Sequence, residues 1–484
     1  MKIGIVLDNP RRELDGLLLT AHHLVGRGHT VFIVPMYQQG YDVPWLELDV
    51  IIVNYARPNN RDFLATCQDL GTAVVVLDTE GSVVPEDDAK TPYGPDAIRA
   101  NDLGRFIDHY LFWGDRQYDY FRKRSPIPEG RLHVTGCPRY DFCHPRWQSI
   151  LTYPQRDYIL INANFSAVNP LFTGSVEKEL KQFLRVGWEE EETRAHLAES
   201  ATTLGLYLDN LQALLQANPR RQFLLRPHPF EDPRVYEHRF AGFANIRVDG
   251  SGSVMSMIRN ATCTIHLNCQ TAIETLLMGK LPVSIEYINT DRTRQRYALP
   301  SAVSWPAANL GQLNEIIQAP DRYLKQMPVA ALFEQHVRPL FHENDGLAAS
   351  RVADVAESAQ RPQRAAGGRL ARSMRGAFAS ATAGRVAQGA LCNVIGSRSV
   401  AALRAYINPR RRVKHIACAE VRQRLAAIAR ADGVPEEVKV SHAAHPLTNL
   451  PLASIAIASV QRRGPQAGVS VRSACHPHGT EGEL

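Results

Sequence analysis

The chain has 484 residues and a mass of 53.9 kDa, with 44% hydrophobic and 21% charged residues; this excludes a fibrous or wholly disordered protein and leaves room for two or three domains. No apolar run reaches the ~18 residues of a membrane-crossing helix. The first residues, Met1-Lys2-Ile3-Gly4-Ile5-Val6, read as a strand rather than a signal peptide, so a cytoplasmic location is expected. The net charge of +6 is unevenly placed: residues 361–484 carry 19 Lys and Arg against 6 Asp and Glu, whereas residues 1–360 carry 36 against 43.

Lys2 to Leu7 is an apolar run followed by a polar turn through Asp8 and Asp15, and Leu17 to Val25 is amphipathic. Gly26-Arg27-Gly28-His29 stops that helix and Thr30 to Val34 resumes as a strand, giving one βαβ unit. Arg11, Glu13 and Asp15 line its strand-to-helix turn, where they suit either an acceptor contact or a solvated first turn. Asp49 to Val53, Ala73 to Leu77, Leu111 to Trp113 and Leu132 to Val134 are further buried strands, each ending in polar or turn residues. Residues 1–150 therefore read as an open, doubly wound Rossmann-like domain. The absence of GxGxxG withholds support from a nicotinamide or flavin dinucleotide site.

Tyr158 to Asn162 opens a second α/β unit, assigned to residues 151–360. Phe165 to Trp188 has no clean period, and the acidic block Glu189 to Glu192 decorates a helix. Ala201 to Ala217, Thr271 to Met278, Leu310 to Ile317 and Ala348 to Ser358 read as helices. Gln222 to Leu225, Ile246 to Val248, Cys263 to Leu267 and Lys280 to Ile285 read as strands. Beyond Arg361 the chain turns to Ala, Arg, Gly and Ser, with helical spacing in Ala365 to Val386 and Val413 to Ala431; Gln461 to Leu484 is expected to be disordered. The eight cysteines are scattered without a CxxC pair, so free thiols are expected and no zinc site.

The chemistry gathers between Gln222 and Glu286. Arg226-Pro227-His228-Pro229-Phe230-Glu231-Asp232, Ser251-Gly252-Ser253 and His266-Leu267-Asn268-Cys269-Gln270-Thr271-Ala272-Ile273-Glu274 each follow a predicted strand. In open α/β sheets ligands bind beyond the carboxyl ends of the strands, so these clusters, Ser253 included, are expected to converge on a nucleotide phosphate. Pro227 and Pro229 stiffen the backbone around His228, and the imidazole and the Arg226 guanidinium can both donate to phosphate oxygens. Gln270 and Thr271 stand at a helix start, where Thr271 can cap the helix, help bind an anion, or do both. Glu274 lies one turn on, able to accept from ribose hydroxyls. Asp8, Asp78, Glu80, Glu231 and Asp232 are strand-end carboxylates available for glycosyl transfer, which needs one to deprotonate a hydroxyl or attack the anomeric carbon. No Asp-x-Asp triplet stands where a divalent metal would hold a diphosphate, favouring a metal-independent reaction without a cofactor.

The ordered set of Arg11 with Glu13-Leu14-Asp15, Gly26-Arg27-Gly28-His29, Asp78-Thr79-Glu80-Gly81, Arg226-Pro227-His228-Pro229 with Glu231, and Gln270-Thr271-Ala272 with Glu274 resembles the bacterial surface carbohydrate biosynthesis proteins. These are similar to capsule and O-antigen transferases that use CMP-Kdo, the activated form of 3-deoxy-manno-octulosonic acid. The resemblance covers residues 1–360 and implies a GT-B-like architecture, two Rossmann-like domains facing a cleft. It implies a CMP-sugar donor on the C-terminal domain, held through Arg226, His228, Pro229, Ser253, Gln270, Thr271 and Glu274. A glycan or lipid-linked glycan acceptor would meet Arg11, Glu13 and Asp15 of the N-terminal domain. By position after the His-Pro turn, Asp232 becomes the expected nucleophile and Glu80 its acid/base partner, with Glu231 beside them. A UDP-sugar-dependent transferase, a UDP-sugar 2-epimerase and a non-catalytic glycan-binding subunit are the alternatives. The basic segment 361–484 suits either an anionic inner-membrane surface or a solvated extension; few aromatics and no recognised motif argue against nucleic acid.

Overall fold

The computed structural model describes residues 1–79, 94–185, 188–296, 298–359, 383–434 and 437–460. Two sheets organise it. The first contains β1 (Lys2–Leu7), β2 (Thr30–Pro35), β3 (Val50–Val53), β4 (Ala73–Leu77), β5 (His109–Phe112) and β6 (Leu132–Val134), parallel in the order β2-β1-β3-β4-β5-β6. The second contains β7 (Tyr158–Asn162), β8 (Phe223–Arg226), β9 (Ile246–Val248), β10 (Ala261–His266), β11 (Leu281–Ile285) and β12 (Trp305–Ala307), parallel in the order β12-β11-β10-β7-β8-β9. Numbered within its own domain, that is the doubly wound order 3-2-1-4-5-6. The central strands are continuous apolar runs because helices cover both faces of a parallel sheet. The two domains face one another across a cleft in the expected GT-B-like arrangement.

The helices that position the site and its surroundings are α1 (Pro10–Gly26), α2 (Val176–Arg185), α3 (Glu190–Ala217), α4 (Thr271–Leu277), α5 (Ala348–Ser358), α6 (Ala383–Ile395), α7 (Ser397–Ile407), α8 (Pro409–Arg412) and α9 (Cys418–Asp432). Helix α1 starts at Pro10, well before the apolar period at Leu17, because proline suits a first helical turn whose side chains are polar. Glu189 caps α3 by accepting from the N–H groups of Glu191 and Glu192, so the acidic block belongs to a helix start, as expected.

The boundary at 360 needs correction. Helix α5 packs along α1 of the first domain, and Asp141 fixes it there by accepting from the N–H groups of Ala348 at 2.9 Å and Ala349 at 2.7 Å. The return crossing precedes α5, since Phe341 already packs, with tilted rings, against Trp113 and Tyr140 of the first domain.

The described parts of the basic C-terminal segment, 383–434 and 437–460, likewise join the first domain rather than forming a separate tail. β14 (Pro451–Ser459) pairs antiparallel with β2, Ile455 opposite Ile33 and Ile457 opposite Val31, and β13 (Val438–Ala444) pairs outside it. Without β14, β2 would expose a row of unpaired backbone groups; with it, Ile455 and Ile457 join the core. Buried Asp42 adds a polar tie, accepting from the hydroxyls of Ser397 and Ser454 and from the Ser454 N–H. The helix expected from Ala365 is described only from Ala383, and the disorder expected over Gln461 to Leu484 lies outside the described residues.

Candidate functional site

Strand order in the second sheet reverses between β7 and β10, so the backbones leaving those strands diverge and open a crevice. Asn162, Ala163 and Asn164 form one lip and Asn268 to Thr271 the other. Across the cleft stands the start of α1, carrying Arg11, Arg12 and Asp15, with Asn9 just before it. Together they enclose a cavity of about 380 Å³, within the range of small-molecule sites.

The His-Pro turn after β8 forms one wall. Pro227, His228, Pro229 and Phe230 line the cavity, and the His228 N–H donates to Glu231 Oε2 at 2.6 Å. The Phe230 N–H donates to His228 Nδ1 at 3.3 Å, which leaves Nε2 to carry the proton of the neutral ring. Arg226, buried at the end of β8, donates to the carbonyls of Ser251 at 3.0 Å and Gly252 at 3.2 Å. Burial, followed by the charge of Arg11, lowers its guanidinium to about 10. An anion between the two guanidiniums would reverse the second effect. Arg11 itself crosses the cleft to the Gly250 carbonyl at 3.4 Å.

The start of α4 forms the opposing wall. Thr271 Oγ1 accepts from Asn162 Nδ2 at 2.8 Å, tying the two lips of the crevice together. Gln270, Thr271 and Glu274 all line the cavity, as does Ser253 at the start of helix Val254–Asn260. Glu274 is almost fully buried and pairs with Arg139 of the first domain at 3.1 Å; burial raises its carboxyl despite the cation. Glu274 Oε2, Arg139 Nε and Asn162 Oδ1 are buried without a hydrogen-bond partner, and all three residues line the cavity. Buried polar atoms are normally satisfied, so this grouping fits a ligand rich in hydroxyls and acceptors. Gly16 makes the Arg139 position possible: a Cβ there would lie 2.6 Å from the Arg139 backbone nitrogen.

Several expected roles do not survive the geometry. Asp232 lies outside the cavity lining; its carboxylate accepts from the Arg234 N–H at 3.0 Å and from that residue's guanidinium, which lowers its carboxyl. It organises the start of helix Arg234–Arg239. Glu231 is buried behind the turn, accepting from the N–H groups of His228 and Phe165 and from the Tyr236 hydroxyl. It braces His228 instead of facing substrate, and burial raises its carboxyl to about 7. Glu13 turns back to the N–H groups of Asp8 and Asn9 and to Arg12, completing the start of α1 rather than meeting an acceptor. Glu80 lies outside the described residues.

Asp15 does line the cavity, held by Arg424 of α9, and Lys414 holds Asp8 at the same lip. Part of the basic segment thus neutralises the acidic rim of the first domain. Sequence reasoning gave no site role to Arg139 or Asn162; Asn162 stands at the end of β7, a placement that could have marked it.

No protein-family model matches the chain, and no curated protein matches it. Among solved structures, the UDP-GlcNAc 2-epimerase of Methanocaldococcus jannaschii, in complex with UDP-GlcNAc and UDP, is 11% identical, with 74% of this chain and 100% of that one covered at a TM-score of 0.43. The wall teichoic acid polymerase TagF is 12% identical, with 74% and 88% covered at 0.47. The UDP-GlcNAc 2-epimerase of Neisseria meningitidis is 11% identical, with 74% and 100% covered at 0.45. Similarity of this degree carries no argument about ligand or activity, which rest on the residues themselves.

Proposed function

We propose that the chain is a glycosyltransferase that takes a Kdo-type sugar from a CMP-activated donor and passes it to a surface-glycan acceptor. The observation that carries this reading is the convergence of His228, Arg226, Arg11 and Thr271, from both domains, on one cavity beside Glu274. The first three supply positive charge or ring N–H donors, and Thr271 supplies the mouth of the switch-point crevice. A single donor phosphate fits between them, with the ribose hydroxyls toward Glu274 Oε2.

In the reaction the bond between the anomeric carbon and the phosphate oxygen breaks while a bond to an acceptor hydroxyl oxygen forms. Negative charge develops on the departing CMP phosphate, where Arg226, Arg11 and His228 stabilise it. The hydroxyl proton passes to a carboxylate. Asp15 suits this role, because it stands on the first domain's wall of the cavity and Arg424 holds it in place.

Thermal unfolding with CMP, UDP and GDP tests the donor. A rise in Tm with CMP exceeding that with the other two supports the reading. Stabilisation by UDP alone would transfer the site to UDP-sugar chemistry, transferase or epimerase; no response to any of the three at millimolar concentration would favour a non-catalytic subunit.

A further inference from the structure

Helices α6 and α7 form an antiparallel pair on the outer side of the first domain, joined at Gly396. Each buries one face: Cys392 on α6, and Ser397, Val400 and Ala405 on α7. Each also turns an apolar triplet outward at the same spacing, Leu391, Val394 and Ile395 on one and Leu403, Tyr406 and Ile407 on the other. Residues at i, i+3 and i+4 share a helix face, so each triplet is a continuous strip. The exposure is large: 73% for Val394, 84% for Tyr406 and 70% for Ile407. A core function does not explain it.

These helices carry charge of one sign in their own sequence. From Ala383 to Lys414 there is no acidic residue and there are seven Lys and Arg, three of them consecutive in α8 immediately after the second strip. Lys414 and Arg410 have carboxylate partners, Asp8 and Glu179, but among the described residues Arg398, Arg411 and Arg412 form no ion pair. Exposed apolar side chains with an interfacial tyrosine, bordered by arginines without a carboxylate partner, of which Arg411 lies over the Tyr37 ring at 4.7 Å, are complementary to a bilayer of anionic lipid: the side chains enter the headgroup boundary while the arginines meet lipid phosphates. Among the described residues no helix is long and apolar enough to cross a membrane, so the contact is one of lying on the surface.

We propose that the α6–α7 pair and the arginines of α8 dock the protein on an anionic membrane surface. The same segment reaches the cavity rim. Lys414 holds Asp8, Arg424 holds Asp15, and Arg410 of α8 meets Glu179 and Gln182 of α2 in the second domain. Docking would therefore set the cleft at a fixed position above the bilayer, where a lipid-linked acceptor can reach it. The docking itself does not rest on the transferase reading.

The test is sedimentation of the full chain with vesicles of phosphatidylcholine alone or with 30–40% phosphatidylglycerol (about the fraction that gives a strongly anionic surface). The wild type should pellet roughly tenfold more with the anionic vesicles and lose most of this at high salt, where surface charge is screened. Tyr406→Ser with Ile407→Ser should reduce pelleting about tenfold with Tm unchanged, since both side chains are exposed. Arg411→Gln with Arg412→Gln should weaken binding and its salt dependence together. Pelleting equal for wild type and variants, or none with either vesicle, would overturn the proposal. So would a wild-type dimer in light scattering that the Tyr406 and Ile407 changes abolish, because the strips would then be covered by a second copy. CMP stabilisation measured without vesicles reports on the cavity separately.

Discussion

Arg139 and Glu274 join the two domains inside the cavity, their side chains 3.1 Å apart, one from the loop after β6 and the other from the first turns of α4. A buried pair of this kind costs more to break than it contributes when whole, because the surviving charge keeps its burial and loses its partner. Glu274→Gln is therefore expected to lower stability by about 3 kcal/mol, and Arg139→Met added to it to restore much of the loss. Denaturant unfolding of the two singles and the double checks this; simple additivity would show that the pair is not coupled. Both Glu274 variants should lose most of the CMP-induced rise in Tm.

Arg226 behaves differently because burial and Arg11 already work against its charge. Arg226→Met should leave the stability of the free protein nearly unchanged while weakening CMP binding by about 10- to 100-fold, the ~1.5–3 kcal/mol of a hydrogen bond to a charged group. Titration calorimetry with CMP is the measurement. Unchanged affinity would place the phosphate elsewhere.

Asp232 serves as a contrast. Asp232→Ala removes the acceptor for the Arg234 N–H and should lower stability by about 1 kcal/mol, as loss of a helix-start acceptor does. CMP binding and sugar transfer should not change. A loss of turnover with binding intact would return Asp232 to the reaction.

The difference between Asp232 and its neighbours shows what the sequence can and cannot reveal. Strand ends, the His-Pro turn and the start of α4 were legible because apolar runs, proline and local capping chemistry are properties of adjacent residues. Which of Glu231 and Asp232 faces the cleft depends on the direction of one turn, and Phe165 and Tyr236, distant or unremarkable in sequence, decide it. Arg139 and Glu274 meet only after two domains close on one another. β13 and β14 escaped notice because Val438–Ala444 and Pro451–Ser459 are rich in Ala and Ser, and β14 finds its partner in β2 at the other end of the chain.

Glu231 gives the account a pH signature. Burial raises its carboxyl from 4.5 to about 7, so the folded state holds the proton more tightly than the unfolded state. Its protonation therefore adds stability fully below about pH 4.5, and that addition is lost as pH rises through about 7. Glu231→Gln removes this titration. Tm of the wild type minus that of the variant should fall across this window, Asp141 titrating equally in both; a constant difference would contradict the raised value.

Asp15 is expected to act on the proton and not on the donor. Asp15→Asn should slow transfer by about 10²- to 10⁴-fold, the usual range for a lost general base, with CMP affinity unchanged. Single-turnover transfer together with CMP titration separates the two. A variant that transfers at the wild-type rate removes Asp15 from the chemistry.

The central claim is that His228 and Thr271 grip one phosphate between the two domains, and a crystal structure of the CMP complex tests it most directly. The account predicts the phosphate within hydrogen-bonding distance of His228 Nε2, with Arg226 and Thr271 beside it and the ribose against Glu274. CMP bound in another part of the molecule, or in this cavity with its phosphate turned away from His228, would contradict it.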